Sequence, residues 1–202
     1  MPNRNRIDLR RTAAHLEQKK LFLILHEPGT LGEYLAWMRR LLEHNNADLE
    51  PMESGPAIAE VQRAIVMRAT ARKKNADYNE VWCAFNRSER ADLNEAKALA
   101  ESKGIRLTIC DPNVDLWFLL HFEDVSAPQP EAELARRLAS HFDKDLTSLR
   151  HQENRLFGKY DVARDRAITI GTESPGSDLH RLIDAMRASK MAFMGHSDTP
   201  KL

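Results

Sequence analysis

The sequence contains only two cysteines, Cys83 and Cys110. Two are too few for a disulfide framework, and no second His or Cys stands at the spacing a zinc site requires. No apolar run approaches the ~20 residues needed to span a bilayer, so a membrane protein is not expected. The segment MPNRNRIDLRR has no apolar stretch behind its basic residues, so no secretory signal is expected. The chain therefore reads as cytoplasmic, with its thiols buried and free. A glycine-rich phosphate loop is also missing. EPGTLGE carries neither the lysine of G-x-x-x-x-G-K-[ST] nor the pattern G-x-G-x-x-G, and ATP binding by this chain is not expected. Net charge is absent too: 30 basic residues cancel 30 acidic ones, and bulk electrostatics does not mark a nucleic-acid binder.

Charge is nonetheless uneven along the chain. Residues 1–18 form a basic arm holding Arg4, Arg6, Arg10 and Arg11, and a second basic stretch holds Arg63, Arg68, Arg72, Lys73 and Lys74. These side chains suit phosphate contacts with RNA or DNA, although a solvated helix face explains the second stretch equally well. A length of 202 residues, 42% of them hydrophobic, suits one domain with its own core and a helical extension.

Hydrophobic periodicity sets the element order. KKLFLILH (19–26) is a continuous apolar run of strand length followed by the turn signal EPGT, which reads as a buried parallel strand. Thr30 is placed to cap the following helix with Glu33 as its capping-box partner. A weak strand over 49–53 precedes a helix that begins at Pro56 and reaches about Lys74. VWCAF is the next strand, ADLNEAKALAESK a helix closed by Gly104, and IRLTIC (105–110) a further strand. From Glu131 onward only helical patterns appear, broken at FGK and at TESPGSD. Ser177 is the expected cap of a last helix over 178–188, with a frayed tail after Lys190.

Strands alternating with helices predict an α/β fold with a parallel sheet of about four strands flanked by helices. Ligands are expected at the carboxyl ends of those strands. The expected organisation is a core over 19–126, a helical C-terminal extension over 127–190 and a flexible tail over 191–202.

Three segments carry a resemblance: LFLILHEPGTLGEYL, then VWCAFNRSE with NEAKALAESKGIRL, and CDPNVDLWFLLHF. Together they resemble the RloB-like proteins, a bacterial group built on a Toprim-type fold and associated with antiphage defence. The most specific match is DPNVDLWFLLHF, and the similarity spans most of residues 20–188. It implies a partner ATPase and a nucleic-acid or phage-derived trigger. It also implies a glutamate after the first strand and a D-x-D pair after a later one, because clustered carboxylates hold Mg²⁺ or Mn²⁺ against a phosphate.

This chain departs from that pattern. His26 stands where the glutamate is expected, Glu27 follows one residue late, and Asn86, Arg87 and Ser88 replace the D-x-D. A one-residue offset at a strand end turns a side chain to the opposite face. The candidate catalytic positions are His26, Glu27, Asn86, Ser88, Glu89, Asp111 and Asp115. Glu27, Glu89 and Asp115 would be the metal ligands of an active enzyme.

Asp115 is the strongest functional acid among the four of Glu27, Glu89, Asp111 and Asp115, while several other residues have plainer roles. Glu27 and Glu89 suit helix N-termini, Asp111 suits an N-cap before Pro112, and His121 suits a packed core histidine. Trp117, Phe118, Leu119 and Leu120 are either core or a docking surface, which the exposure of Trp117 decides. Two functions follow. In the first, a catalytically degenerate subunit needs no cofactor and binds a partner ATPase, nucleic acid or both, with a homo-oligomer compatible. In the second, an active nuclease with relocated carboxylates hydrolyses phosphodiesters with Mg²⁺ or Mn²⁺.

Overall fold

A computed structural model of the protein describes residues 22–87, 90–142, 153–171 and 175–195. The basic arm over 1–18, Ser88, Glu89 and the tail beyond Gly195 lie outside the described residues.

The run FLILH becomes strand β1 (Phe22–His26), buried along its whole length. It pairs in parallel with β2 (Ala47–Pro51) on one side and β3 (Glu80–Asn86) on the other. β3 pairs in parallel with β4 (Arg106–Asp111), giving the order β2-β1-β3-β4-β5. The four expected parallel strands are present, with β2 two residues earlier than its weak pattern indicates. The fifth strand, β5 (Gly176–Ser177), runs antiparallel to the end of β4. Two residues are too few to carry a periodicity.

Because strand side chains alternate, β1 serves two cores at once. Leu23 and Leu25 join Val81, Cys83 and Phe85 under helices α2 (Ala57–Lys73) and α3 (Leu93–Lys103). Phe22 and Ile24 join Trp82 and Ala84 in the opposite layer. Helices α1 (Thr30–Leu41), α4 (Val114–Leu120) and α5 (Glu131–His141) cover that layer. It is completed by α6 (Glu153–Phe157), α7 (Tyr160–Ile170) and α8 (Leu179–Gly195), so the C-terminal helices share the core of the sheet.

Leu116 to Leu120 lie wholly inside this second layer, with Trp117 at 0% exposure. The ring of Trp117 meets Tyr160 edge-on at 5.9 Å. The cluster is therefore core, and each large side chain in it contributes about 1.5–3 kcal/mol by leaving water.

Helix ends depart from the expected caps in an informative way. Thr30 opens α1 but makes no capping bond, because Gly29 occupies the cap position and its carbonyl accepts from the Glu33 N–H. Gly104 does close α3 in the left-handed conformation that glycine tolerates, at φ 63°. Asn113, rather than Asp111, caps α4 by accepting from the Asp115 N–H at 3.0 Å. Ser177 belongs to β5, and its hydroxyl lies 3.4 Å from the Cys110 thiol, so it does not cap α8. Asp178 instead accepts from the Thr108 hydroxyl and the Ile109 N–H, which anchors α8 to β4. α8 continues to Gly195, past Lys190.

Pro56 precedes α2 and has no side-chain acceptor to offer. The cap comes from Asp92, at the start of α3, whose carboxylate accepts from Ala57 N–H at 2.9 Å and Ile58 N–H at 2.8 Å. Burial alone would raise the pKa of Asp92, but the bonds from Ile58 and Ala57 together hold it below its ordinary 3.8. Asp92→Ala is expected to lower stability by about 1 kcal/mol in urea melts at pH 7, the usual value of such a cap. Its depressed pKa means the contribution is complete above the ordinary carboxylate range and is lost as pH falls through the lower, folded-state value. The difference between wild type and variant should therefore vanish in strong acid.

Candidate functional site

The carboxyl ends of β1, β3 and β4 meet at one edge of the sheet, where strand alternation sorts the candidate residues to two faces. His26 continues the Phe22–Ile24 side and meets α1. Its ring packs so closely that a Cβ at Gly32 would lie 2.6 Å from it, which explains the glycine there. The His26 Nδ1–H donates to the Glu27 carbonyl at 2.9 Å, and burial lowers the pKa of the ring, keeping it neutral.

Glu27 continues the Leu23–Leu25 side. Its backbone is pinned by the bond from its N–H to the Ala84 carbonyl, and its side chain is 2% exposed. A carboxylate that deep needs a counter-charge, and Arg90 supplies it: Nε donates to Glu27 Oε1 at 3.0 Å, with the arginine side chain only 7% exposed. The same guanidinium donates to the Gly55 carbonyl and lies over the Phe85 ring, 5.8 Å from its centroid. Carboxylate, carbonyl and ring hold Arg90 from three sides.

A second pair sits on the same face. Asp111, at the end of β4, has its carboxylate 2.7 Å from Arg87 Nε at the end of β3, an ion pair held by charge and not by an aligned hydrogen bond. The Arg90 N–H bonds back to the Arg87 carbonyl at 3.0 Å, a turn that delivers both guanidiniums to the strand ends. Each of the two acids is thus paired with an arginine, and the charges cancel.

The remaining candidates lie elsewhere. Asn86 ends β3 on the His26 face, with its buried Oδ1 unbonded among the described residues. Asp115, in the first turn of α4, is half-buried, and its pKa is raised first by burial and then by the nearby negative charge of Glu131. His121 is a packed core histidine, with Nδ1–H donating to the Trp117 carbonyl at 2.9 Å and its pKa lowered to about 4 by burial. Burial raises both thiols to about 12, and both cysteines are free. Among the described residues, no group of three or more His, Cys, Asp or Glu is placed to hold a metal ion. Ser88 and Glu89 lie outside those residues.

Three of the five basic residues on α2 and its end are engaged within the chain. Arg63 bonds Glu60 and the Pro51 carbonyl, Arg68 bonds the carbonyls of Lys103 and Gly104, and Arg72 pairs with Asp77. Lys73 and Lys74 are exposed.

Arg90 is the residue that sequence reasoning missed. Its only signal is an arginine in the loop after a strand that ends near a buried acid, and nothing local distinguishes it from a surface arginine. Arg90→Met should take this counter-charge from the buried Glu27 carboxylate and lower stability by about 3–5 kcal/mol. Adding Glu27→Leu to the same chain should recover most of that loss. Urea denaturation of both variants measures the effect.

No curated protein and no solved structure matches the chain. No helix among the described residues is long and apolar enough to cross a membrane. The family model described as RloB-like protein matches residues 22–186, which carry the five strands among the described residues and the helices around the paired acids. The chain belongs to the RloB-like protein family.

Proposed function

We propose that this chain is a catalytically degenerate, Toprim-type member of its family. It serves bacterial antiphage defence as a subunit that binds a partner ATPase, and it does not cut phosphodiesters itself. The observation that carries this reading is the pairing of Glu27 with Arg90 and of Asp111 with Arg87.

A hard dication needs several anionic or neutral oxygens free to close on it. Here both strand-end carboxylates already face guanidiniums, one of them inside the core. To use them, the ion would have to displace two positive charges and break a buried pair, at a cost of several kcal/mol. Asn86 offers a neutral oxygen on the other face of the sheet and does not make up the charge. Asp115 lies in the first turn of α4, outside the two ion pairs. The active-nuclease alternative asks Glu27, Glu89 and Asp115 to surround one cation, and among the described residues no group of three such side chains is placed to do so.

The basic stretch adds little to a nucleic-acid reading. Arg63, Arg68 and Arg72 each hold partners within the chain, so their guanidiniums are already partly neutralised or bonded. Protein binding is the stronger role.

Calorimetric titration of the full chain with MgCl₂ and MnCl₂ should show no binding tighter than about 1 mM, the weak end of protein sites for hard cations. Arg87→Gln should strengthen Mn²⁺ binding, since it frees Asp111 without disturbing the buried Glu27 pair. Micromolar binding by the unaltered chain would overturn the proposal.

A further inference from the structure

Helix α2 is apolar on two sides. Ala57, Val61 and Ala64 face the sheet and are fully buried. On the opposite side Ala59, Gln62, Val66 and Ala69 recur at spacings of three and four, and all are exposed. A helix lying on a sheet ordinarily turns charged residues to water along this stripe. Here the centre is Val66, 63% exposed, the most exposed of the protein's large hydrophobic side chains among the described residues.

Two shallow grooves flank this stripe, one on each side of the helix. One, of ≈ 280 Å³, lies over Val66, Met67, Thr70 and Tyr78, and the other, of ≈ 350 Å³, over Ile65, Arg68, Ala69 and Arg72. From Val66 to Lys73 the helix rises about 10 Å, roughly two turns, which matches the reach of anchors at i, i+3 and i+7 on a second helix. The flanks are positive: Arg72 edges one groove, Lys74 edges the other, and Lys73 stands at the end, while Arg68 in the first groove is bonded to the carbonyls of Lys103 and Gly104. Asp77, which pairs with Arg72, offsets only one of these charges.

We infer that the outer face of α2 docks an acidic amphipathic helix of a partner protein, with apolar side chains seated beside Val66 and carboxylates against the flanks. Charge decides between occupants. A second copy of this chain would set the positive excess against itself, whereas an acidic helix is attracted and oriented by it. A nucleic acid would gain from the same basic residues but nothing from the apolar centre, which an amphipathic helix also fills. This inference stands whether or not the strand-end acids hold a cation, because α2 carries its stripe on the side away from the sheet.

The test uses the full chain and a labelled synthetic amphipathic helix of roughly 20 residues, with Leu at i, i+3, i+4 and i+7 and Glu beside them. Comparison probes are the same peptide with Lys for Glu and a single-stranded oligonucleotide. Fluorescence anisotropy should show binding of the acidic peptide and not of the basic one. Val66→Glu should weaken that binding at least tenfold, and Lys73→Glu/Lys74→Glu should weaken it and reverse the preference. Thermal melts confirm that each variant is folded, as expected for exposed positions. The inference is overturned if the acidic peptide does not bind or if Val66→Glu binds it equally well. It is also overturned if the oligonucleotide competes for the same face, or if ultracentrifugation finds a dimer that Val66→Glu dissociates.

Discussion

The buried pair of Glu27 with Arg90 governs the carboxyl end of this sheet. A carboxylate 2% exposed cannot stand in the core uncompensated, so its position beyond β1 obliges the loop after β3 to return an arginine. That loop then fixes much else. It turns on the bond from Arg90 N–H to Arg87 carbonyl, so the second guanidinium falls beside Asp111. Two residues further on, it delivers Asp92 to the uncapped start of α2. One short segment thus neutralises two strand ends and joins two helices.

Neutralisation changes what the sheet edge can do. Strand ends in parallel α/β folds are useful because several side chains converge there with little structural constraint. In this chain the convergence is occupied by charges that satisfy one another, and His26 on the other face is neutral and packed against Gly32. On the outer surface α2 is unusual, with Val66 exposed between flanks that carry basic residues.

Much of this fold could be read from the sequence, since the parallel strands and the helices between them follow from uninterrupted apolar runs and 3.6-residue periodicity. Gly104 was legible because only a left-handed residue ends a helix in that way. The one-residue offset between His26 and Glu27 was legible too, since strand alternation alone puts them on opposite faces. Three kinds of feature were not. β5 is too short to have a pattern. The caps of α2 and the anchoring of α8 come from Asp92 and Asp178, whose acceptors serve backbone groups brought close only by folding. Arg90 looks like any loop arginine until Glu27 is known to be buried. The apolar face of α2 was hidden for a related reason: its basic residues dominate the text of the sequence, while which side each one occupies depends on how the helix sits on the sheet.

The central claim is that the strand-end acids are held by arginines and are not available to a hard cation. Crystals of the full chain grown with Mn²⁺ and measured at the manganese absorption edge test it most directly. The account predicts no anomalous peak beside Glu27 or Asp111, with Arg90 and Arg87 still seated on them. An ordered manganese ion about 2 Å from either carboxylate, with its arginine swung away, would contradict it.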